Sequence, residues 1–252
     1  MIEVKNLWKS FDGKQILSDV SAKFHTGQVN QIIGQSGSGK TVLMKTIIGL
    51  FKADRGEILY DGRDLSKMSK KEIKNIHKEV GMLFQGAALF DSKTILENVM
   101  FPLTIFSSQT KKEIEDRARF CLSRVDINPN AINLFPSEIS GGMQKRVAIA
   151  RAITLNPKYL FCDEPNSGLD PVTSLLIDSL IEDITTEYNI TTIVNTHDMN
   201  SIMETGANII LVRKGQVAWQ GSKDTIFQAD NEALNDFVFA SELFKTIRDK
   251  NK

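Results

Sequence analysis

The run GQSGSGKT at residues 34–41 fits the pattern GxxxxGK[ST]. Gly34, Gly37 and Gly39 let backbone N–H groups turn inward around a phosphate with no Cβ in the way. Lys40 is expected to reach the β- and γ-phosphates of a nucleoside triphosphate, and the Thr41 hydroxyl can coordinate Mg²⁺. Gln35, Ser36 and Ser38 complete the loop and Val42 follows it, so residues 34–42 are candidate nucleotide-binding positions. The alternative is a Gly-rich turn without a ligand. The apolar strand expected at 29–33 and the helix expected at 41–50 argue against it, because that helix aims its positive end at the anion.

A second cluster is acidic. Residues 159–162 are an apolar run ending in Asp163 and Glu164, which puts both carboxylates at the carboxyl edge of a sheet, where ligands of open α/β sheets bind. Asp163 suits a Mg²⁺ ion held through its water shell. Glu164 is the candidate general base that polarises an attacking water. An acidic surface turn broken by Pro165 is the competing reading. His197 follows the apolar run 191–194 at the same kind of edge, where its imidazole can sense a γ-phosphate. His25 and His77 have no such context.

These residues need an α/β frame. Residues 2–7, 20–24 and 29–33 read as strands, separated by Asp12-Gly13 and Thr26-Gly27. Strands are further expected at 57–60 and 80–84, with a basic helix between them. Residues 111–125 show apolar positions at helical spacing, and 142–155 form another helix. Residues 159–162, 191–194 and 208–212 have the β-branched character of a parallel sheet covered on both faces. Residues 216–220 read as a late edge strand.

Composition narrows the function classes. The chain has 252 residues, 41% of them hydrophobic and 25% charged, with 31 basic and 31 acidic side chains. Such a balance offers no global attraction for nucleic acid or an anionic membrane. The basic stretch at 67–78 reads as the solvated face of a surface helix. Cys121 and Cys162 make no disulfide framework. No apolar run approaches the roughly 18–20 residues that span a bilayer, and the start MIEVKNLWKSF has no signal-peptide design.

The run ISGGMQKRVAIARAI at 139–153 completes a pattern. With it, the chain resembles the ABC transporter ATPases over about residues 1–221. The resemblance implies a RecA-like P-loop ATPase core of α/β class (about 1–87 and 158–221) and an inserted α-helical lobe (about 88–157); beyond it, residues 222–252 are expected as a C-terminal helical tail. It also implies that ATP is sandwiched between two copies or paired cassettes. Lys40 of one would face Ser140, Gly141 and Gly142 of the other. A serine and two glycines at a helix start suit that role, through a hydroxyl, close approach and the helix dipole. Phe11 matches the aromatic that stacks on adenine, with simple packing as its alternative. Gln85 matches the glutamine that touches Mg²⁺ and water and joins core to lobe. Residues 167–170, ending in Asp170, match the loop that crosses the dimer interface. Ile139, Met143 and Val42 depart from the commonest residues without removing a catalytic group.

A narrower resemblance lies in LFQGAALFDSKTILENVMFPL at 83–103 together with SGGM. It is similar to the ATPase subunits of bacterial phospholipid-trafficking transporters, and amino-acid and betaine importers share parts of both strings. It implies a peripheral subunit at the cytoplasmic face of the inner membrane, working with permease subunits and a lipid-binding accessory protein. A soluble cassette of DNA repair or translation would carry a long coiled-coil insertion or a second cassette. A non-hydrolysing regulator would not need Glu164 and His197. In the tail, Phe237, Val238 and Phe239 either pack on their own core or dock on a partner.

Overall fold

Two sheets form because two apolar patterns run along the chain. In the first third, buried and exposed positions alternate, as in a sheet with one wet face. Strand β1 (Ile2–Phe11) turns into β2 (Lys14–Phe24) through Asp12 and Gly13 alone. Both turn residues have positive φ, 49° and 77°, the geometry that two-residue hairpins require. The second strand therefore begins at residue 14 rather than 20, because the hairpin pairs Phe11 with Lys14 at once. The computed structural model describes residues 1–240 and Phe244.

In chain order there follow β3 (Val29–Ile33), α1 (Lys40–Ile48), β4 (Arg55–Tyr60), β5 (Arg63–Asp64), α2 (Lys70–Lys78) and β6 (Val80–Leu83). Next come three helices, α3 (Ile95–Phe106), α4 (Lys111–Arg124) and α5 (Gly141–Ile153). The chain then runs through β7 (Tyr159–Asp163), α6 (Pro171–Glu187), β8 (Thr191–Asn195), α7 (Met199–Thr205), β9 (Asn208–Arg213), β10 (Gln216–Gly221) and α8 (Glu232–Phe237). Helices α2, α3 and α4 open on capping boxes, Ser69/Glu72, Thr94/Glu97 and Thr110/Glu113, which satisfy first-turn N–H groups. The basic segment is indeed an exposed helix, with only Ile76 buried.

The antiparallel sheet has the order β2-β1-β4-β5, and the second sheet β10-β9-β3-β8-β7-β6. In the second, β3, β6, β7, β8 and β9 run parallel and only β10 is antiparallel. Their carboxyl ends therefore share one edge. The loops after β3, β6, β7 and β8 all emerge there, carrying the glycine loop, Gln85, Glu164 and His197.

One core fills the space between the sheets around Ile2, Phe24, Met44, Tyr60 and Phe161. A second joins the outer face of the parallel sheet (Leu160, Val194) to α5 and α6 (Val147, Ile149, Ile177) and to α3 and α4. Helix α5 thus packs on the sheet itself. A Cβ at Gly81 would lie 2.5 Å from the Ala152 carbonyl oxygen, so β6 needs glycine there. A third cluster gathers α7, β9 and α8, with Val238 and Phe239 only 1% and 2% exposed. Of the two readings for that apolar group, these two residues take packing on their own core.

Candidate functional site

The glycine loop is built for a close approach to its neighbours. Gly34 has φ 144°, and a Cβ on it would fall 2.3 Å from the Val212 carbonyl oxygen and 2.9 Å from Ser38 Oγ. Gly39, at φ 110°, is the left-handed N-cap of α1. Among the described residues, Ser38 Oγ is buried without a hydrogen-bond partner. Lys40 is 7% exposed, and its Nζ donates to the carbonyls of Gly34 (2.8 Å) and Gln35 (3.2 Å). Burial pulls the Lys40 ammonium below its ordinary pKa, against the opposing pull of Glu164 and Asp163. A desolvated ammonium, an orphaned hydroxyl and a helix N-terminus on one loop fit a polyphosphate.

The acidic edge converges on the same place. Asp163 Oδ1 accepts a hydrogen bond from Asn195 Nδ2 at 2.6 Å, and that nitrogen lies 3.3 Å from Thr41 Oγ1. The Thr41 hydroxyl and the Asp163 carboxylate thus meet at one amide, a pair of hard oxygen donors that fits Mg²⁺. Glu164 takes a left-handed φ of 49°, unusual for a side-chain-bearing residue, and its N–H donates to the Asn195 carbonyl at 2.8 Å. His197 Nδ1 lies 2.9 Å from Glu164 Oε1. Gln85 Nε2 donates to Ser167 Oγ at 3.2 Å. Lys40, Thr41, Gln85, Asp163, Glu164 and His197 line a single cleft of about 710 Å³ with Gln35, Ser36, Gly37, Gly39 and Val42.

Ser140 lies elsewhere. It caps α5, its Oγ accepting from the Met143 N–H at 3.3 Å. Asp170 caps α6 in the same way, accepting from Val172 and Thr173 at 3.0 Å each. Both caps, with Gly141 and Gly142, line a separate cleft of about 600 Å³ that shares no lining residue with the first. Phe11 lines neither cleft. The residue is 38% exposed, its ring edge-on to Phe51 at 5.1 Å, so packing does not occupy it fully.

Three neighbours of these groups escape a sequence reading. Asn195 joins Asp163 to Thr41, and its only sequence signal is adjacency to the His197 motif. Lys145, 5% exposed on α5, donates to the backbone carbonyl of Gln85 and lies 3.5 Å from that of Glu164. Phe237, on α8, lines the nucleotide-sized cleft beside Gly37.

Residues 17–167 match the family model of the ABC transporter family. The chain belongs to that family. It is 37% identical over 237 residues to the "Probable ribonucleotide transport ATP-binding protein mkl" of Mycobacterium leprae, covering 94% of this chain and 68% of that one. It is 38% identical over 238 residues to the methionine import ATP-binding protein MetN of Clostridioides difficile, covering 94% and 74%. Among solved structures, the ATP-binding cassette MJ0796, a post-hydrolysis dimer bound to ADP and Pi, superposes with a TM-score of 0.80 at 31% identity, covering 88% of this chain and 99% of that one. This ABC cassette is thus an α/β P-loop ATPase that binds ATP with Mg²⁺ and hydrolyses it. Cassettes of this family dimerise and work with membrane permease subunits. Among the described residues no helix is long and apolar enough to cross a membrane.

Proposed function

We propose that this chain is the motor subunit of a transporter that moves a phospholipid or similar amphiphile, and that two copies, or a copy and a paired cassette, close around two ATP molecules. The observation that carries the closure is the separation of Lys40 and Ser140 into clefts with no common lining residue. Neither cleft alone encloses a triphosphate with donors on both sides. A second copy, turned to face the first, brings the Ser140 N-terminus of α5 over the phosphates held by Lys40.

Within the closed site, Lys40 and the loop N–H groups of 35–41 hold the phosphates. Glu164, in its strained backbone conformation, orients and polarises the water, and His197 beside it faces the γ-phosphate. Thr41, Asp163 and Gln85 would hold a Mg²⁺ ion, which when bound would supply charge neutralisation for the developing phosphate charge. Asp170 belongs to the interface loop, and Phe11 offers its exposed face to adenine.

Coupling runs through the segment after Gln85. Ala87 and Ala88 both take left-handed φ, 60° and 50°, and Arg151 donates to both carbonyls at 2.8 and 2.7 Å. Beyond them lies a groove of about 310 Å³ lined by Phe84, Phe90, Phe101 and Phe106. Phe84 and Phe90 are 41% and 40% exposed. An apolar groove beside Gln85 suits a short helix from a permease. The phospholipid cargo rests on the likeness of residues 83–103 and SGGM to lipid-trafficking cassettes; the MetN similarity supports methionine import as the second reading. The protein would be reconstituted with its permease in vesicles carrying labelled phospholipid. ATP-dependent movement of the label supports the first reading. ATPase stimulation by methionine and a binding protein, with no lipid movement, replaces it with the second.

A further inference from the structure

Helix α6 carries a buried carboxylate that neither the nucleotide cleft nor the dimer reading uses. Asp178 is 4% exposed, and its helix turns Ile177, Ile181 and Ile184 into the core nearby. An apolar residue would pack there at lower cost than a charge. What Asp178 does have is two donors from two different segments. Asn166 Nδ2 donates to Oδ2 at 2.9 Å, and Ser201 Oγ donates to Oδ1 at 2.9 Å. Both partners are themselves buried, 8% and 0% exposed.

The two segments are the ones that deliver the paired groups of the cleft. Asn166 stands two residues after Glu164 and one before Ser167, which accepts from Gln85. Ser201 lies on α7, which opens at Asp198, directly after His197. Helix α7 is fixed to the central strand, since Gln31 Nε2 on β3 donates to the Ser201 carbonyl at 2.9 Å and to Thr205 Oγ1 at 3.0 Å. The carboxylate thus ties the loop behind Glu164 to a helix that is itself anchored to the sheet.

We propose that Asp178 is a positioning residue for ATP hydrolysis, holding the Glu164 loop and the His197 segment at one fixed spacing. It rests on the reading that Glu164 and His197 act at the γ-phosphate. The tie also keeps Glu164 in its left-handed conformation, because a loop released at Asn166 is free to relax it. The nature of the tie is hydrogen bonding rather than charge: both donors are neutral. Among the described residues, Asn166 Oδ1 is buried with no partner. In an Asp178→Asn protein, Asn166 can turn that oxygen toward the new amide while Ser201 still donates to the remaining oxygen.

The test is steady-state MgATP hydrolysis by the full chain. Folding is checked by circular dichroism and melting, and ATP affinity by titration. Asp178→Ala should lower kcat by about tenfold while KM and ATP affinity stay within about twofold, as misplacement without lost binding predicts. Asp178→Asn should recover to within about threefold of the unaltered protein, since both hydrogen bonds can re-form. Ser201→Ala, the milder change, should show the same kcat-only pattern, and it carries the test if Asp178→Ala does not fold. A folded Asp178→Ala protein with unaltered kcat overturns the proposal. So does an equal loss of kcat and ATP affinity, or an Asp178→Asn protein as slow as Asp178→Ala. If Asp178→Ala fails to fold, an unaltered kcat in Ser201→Ala overturns it too. Glu164→Gln and His197→Ala run in parallel. If these hydrolyse normally, the reading of the cleft falls; if they are slow while Asp178→Ala is not, only the positioning role falls.

Discussion

The charge on Asp178 carries a stability cost that can be measured apart from its geometry. Burial pushes the carboxyl up to about 6 from its ordinary 3.8; hydrogen bonds from Asn166 and Ser201 hold it down, and the nearby charges of Asp198 and Glu204 push it further up. Because the folded pKa is raised, the folded state holds its proton more tightly than the unfolded chain between those two values, and stability falls as pH rises through that window. A rise from 3.8 to about 6 corresponds to ~3 kcal/mol lost once the group is ionised. Asp178→Asn removes the titration and keeps the shape. Urea unfolding should therefore find the variant more stable at pH 8 by up to ~3 kcal/mol, with roughly half of that gain left at pH 5 and almost none once the pH is well below the unfolded value. The m-value should not change, since the same surface is exposed on unfolding. A difference that is constant across pH 5–8, or a variant less stable at pH 8, refutes the reasoning.

Two further substitutions probe other parts of the account. Gly34→Ala puts a methyl group 2.3 Å from a backbone carbonyl at a φ of 144°, so it should distort the phosphate loop, cost ~2 kcal/mol or more of stability, and weaken ATP binding at least tenfold by calorimetry. Phe90→Ala removes the ring of a residue that is 40% exposed, packed at a tilt with its centroid 4.6 Å from that of Phe101; it should weaken co-purification with the permease by ~2 kcal/mol while basal ATPase activity stays within about twofold.

The meeting of the candidate groups in one cleft is legible in the sequence because each sits in a short contiguous string at a strand end. Parallel pairing then does the rest, bringing the loops after β3, β6, β7 and β8 to one edge. The helices were less legible, for physical reasons. Helix α6 mixes its faces: Val172, Leu175 and Leu176 are 70%, 45% and 64% exposed while Ile177, Ile181 and the polar Asp178 are buried, so no single stripe marks it. Helix α3 carries Pro102 in its interior, a residue that argues against a helix when only the sequence is read. The clamp at Asp178 leaves no local trace, because its partners lie 12 and 23 residues away. The tail was open between two packings, and burial of Val238 and Phe239 against Ile202 and Leu211 decides it for those two residues. The rest of the tail, 241–243 and 245–252, lies outside the described residues.

Closure of two copies around ATP is the central claim, and the Glu164→Gln protein tests it most directly. Loss of the proposed base should slow turnover on the order of 10²–10⁴ without removing the phosphate-binding groups, so ATP should persist in the site. Sedimentation velocity with saturating MgATP should then find a species of twice the chain mass that reverts to one chain when nucleotide is removed. In the same sample, cysteines placed at Ser140 and at Ser36 should cross-link between chains only with ATP present. A protein that binds ATP to saturation yet sediments as a single chain, with no cross-link, contradicts the account.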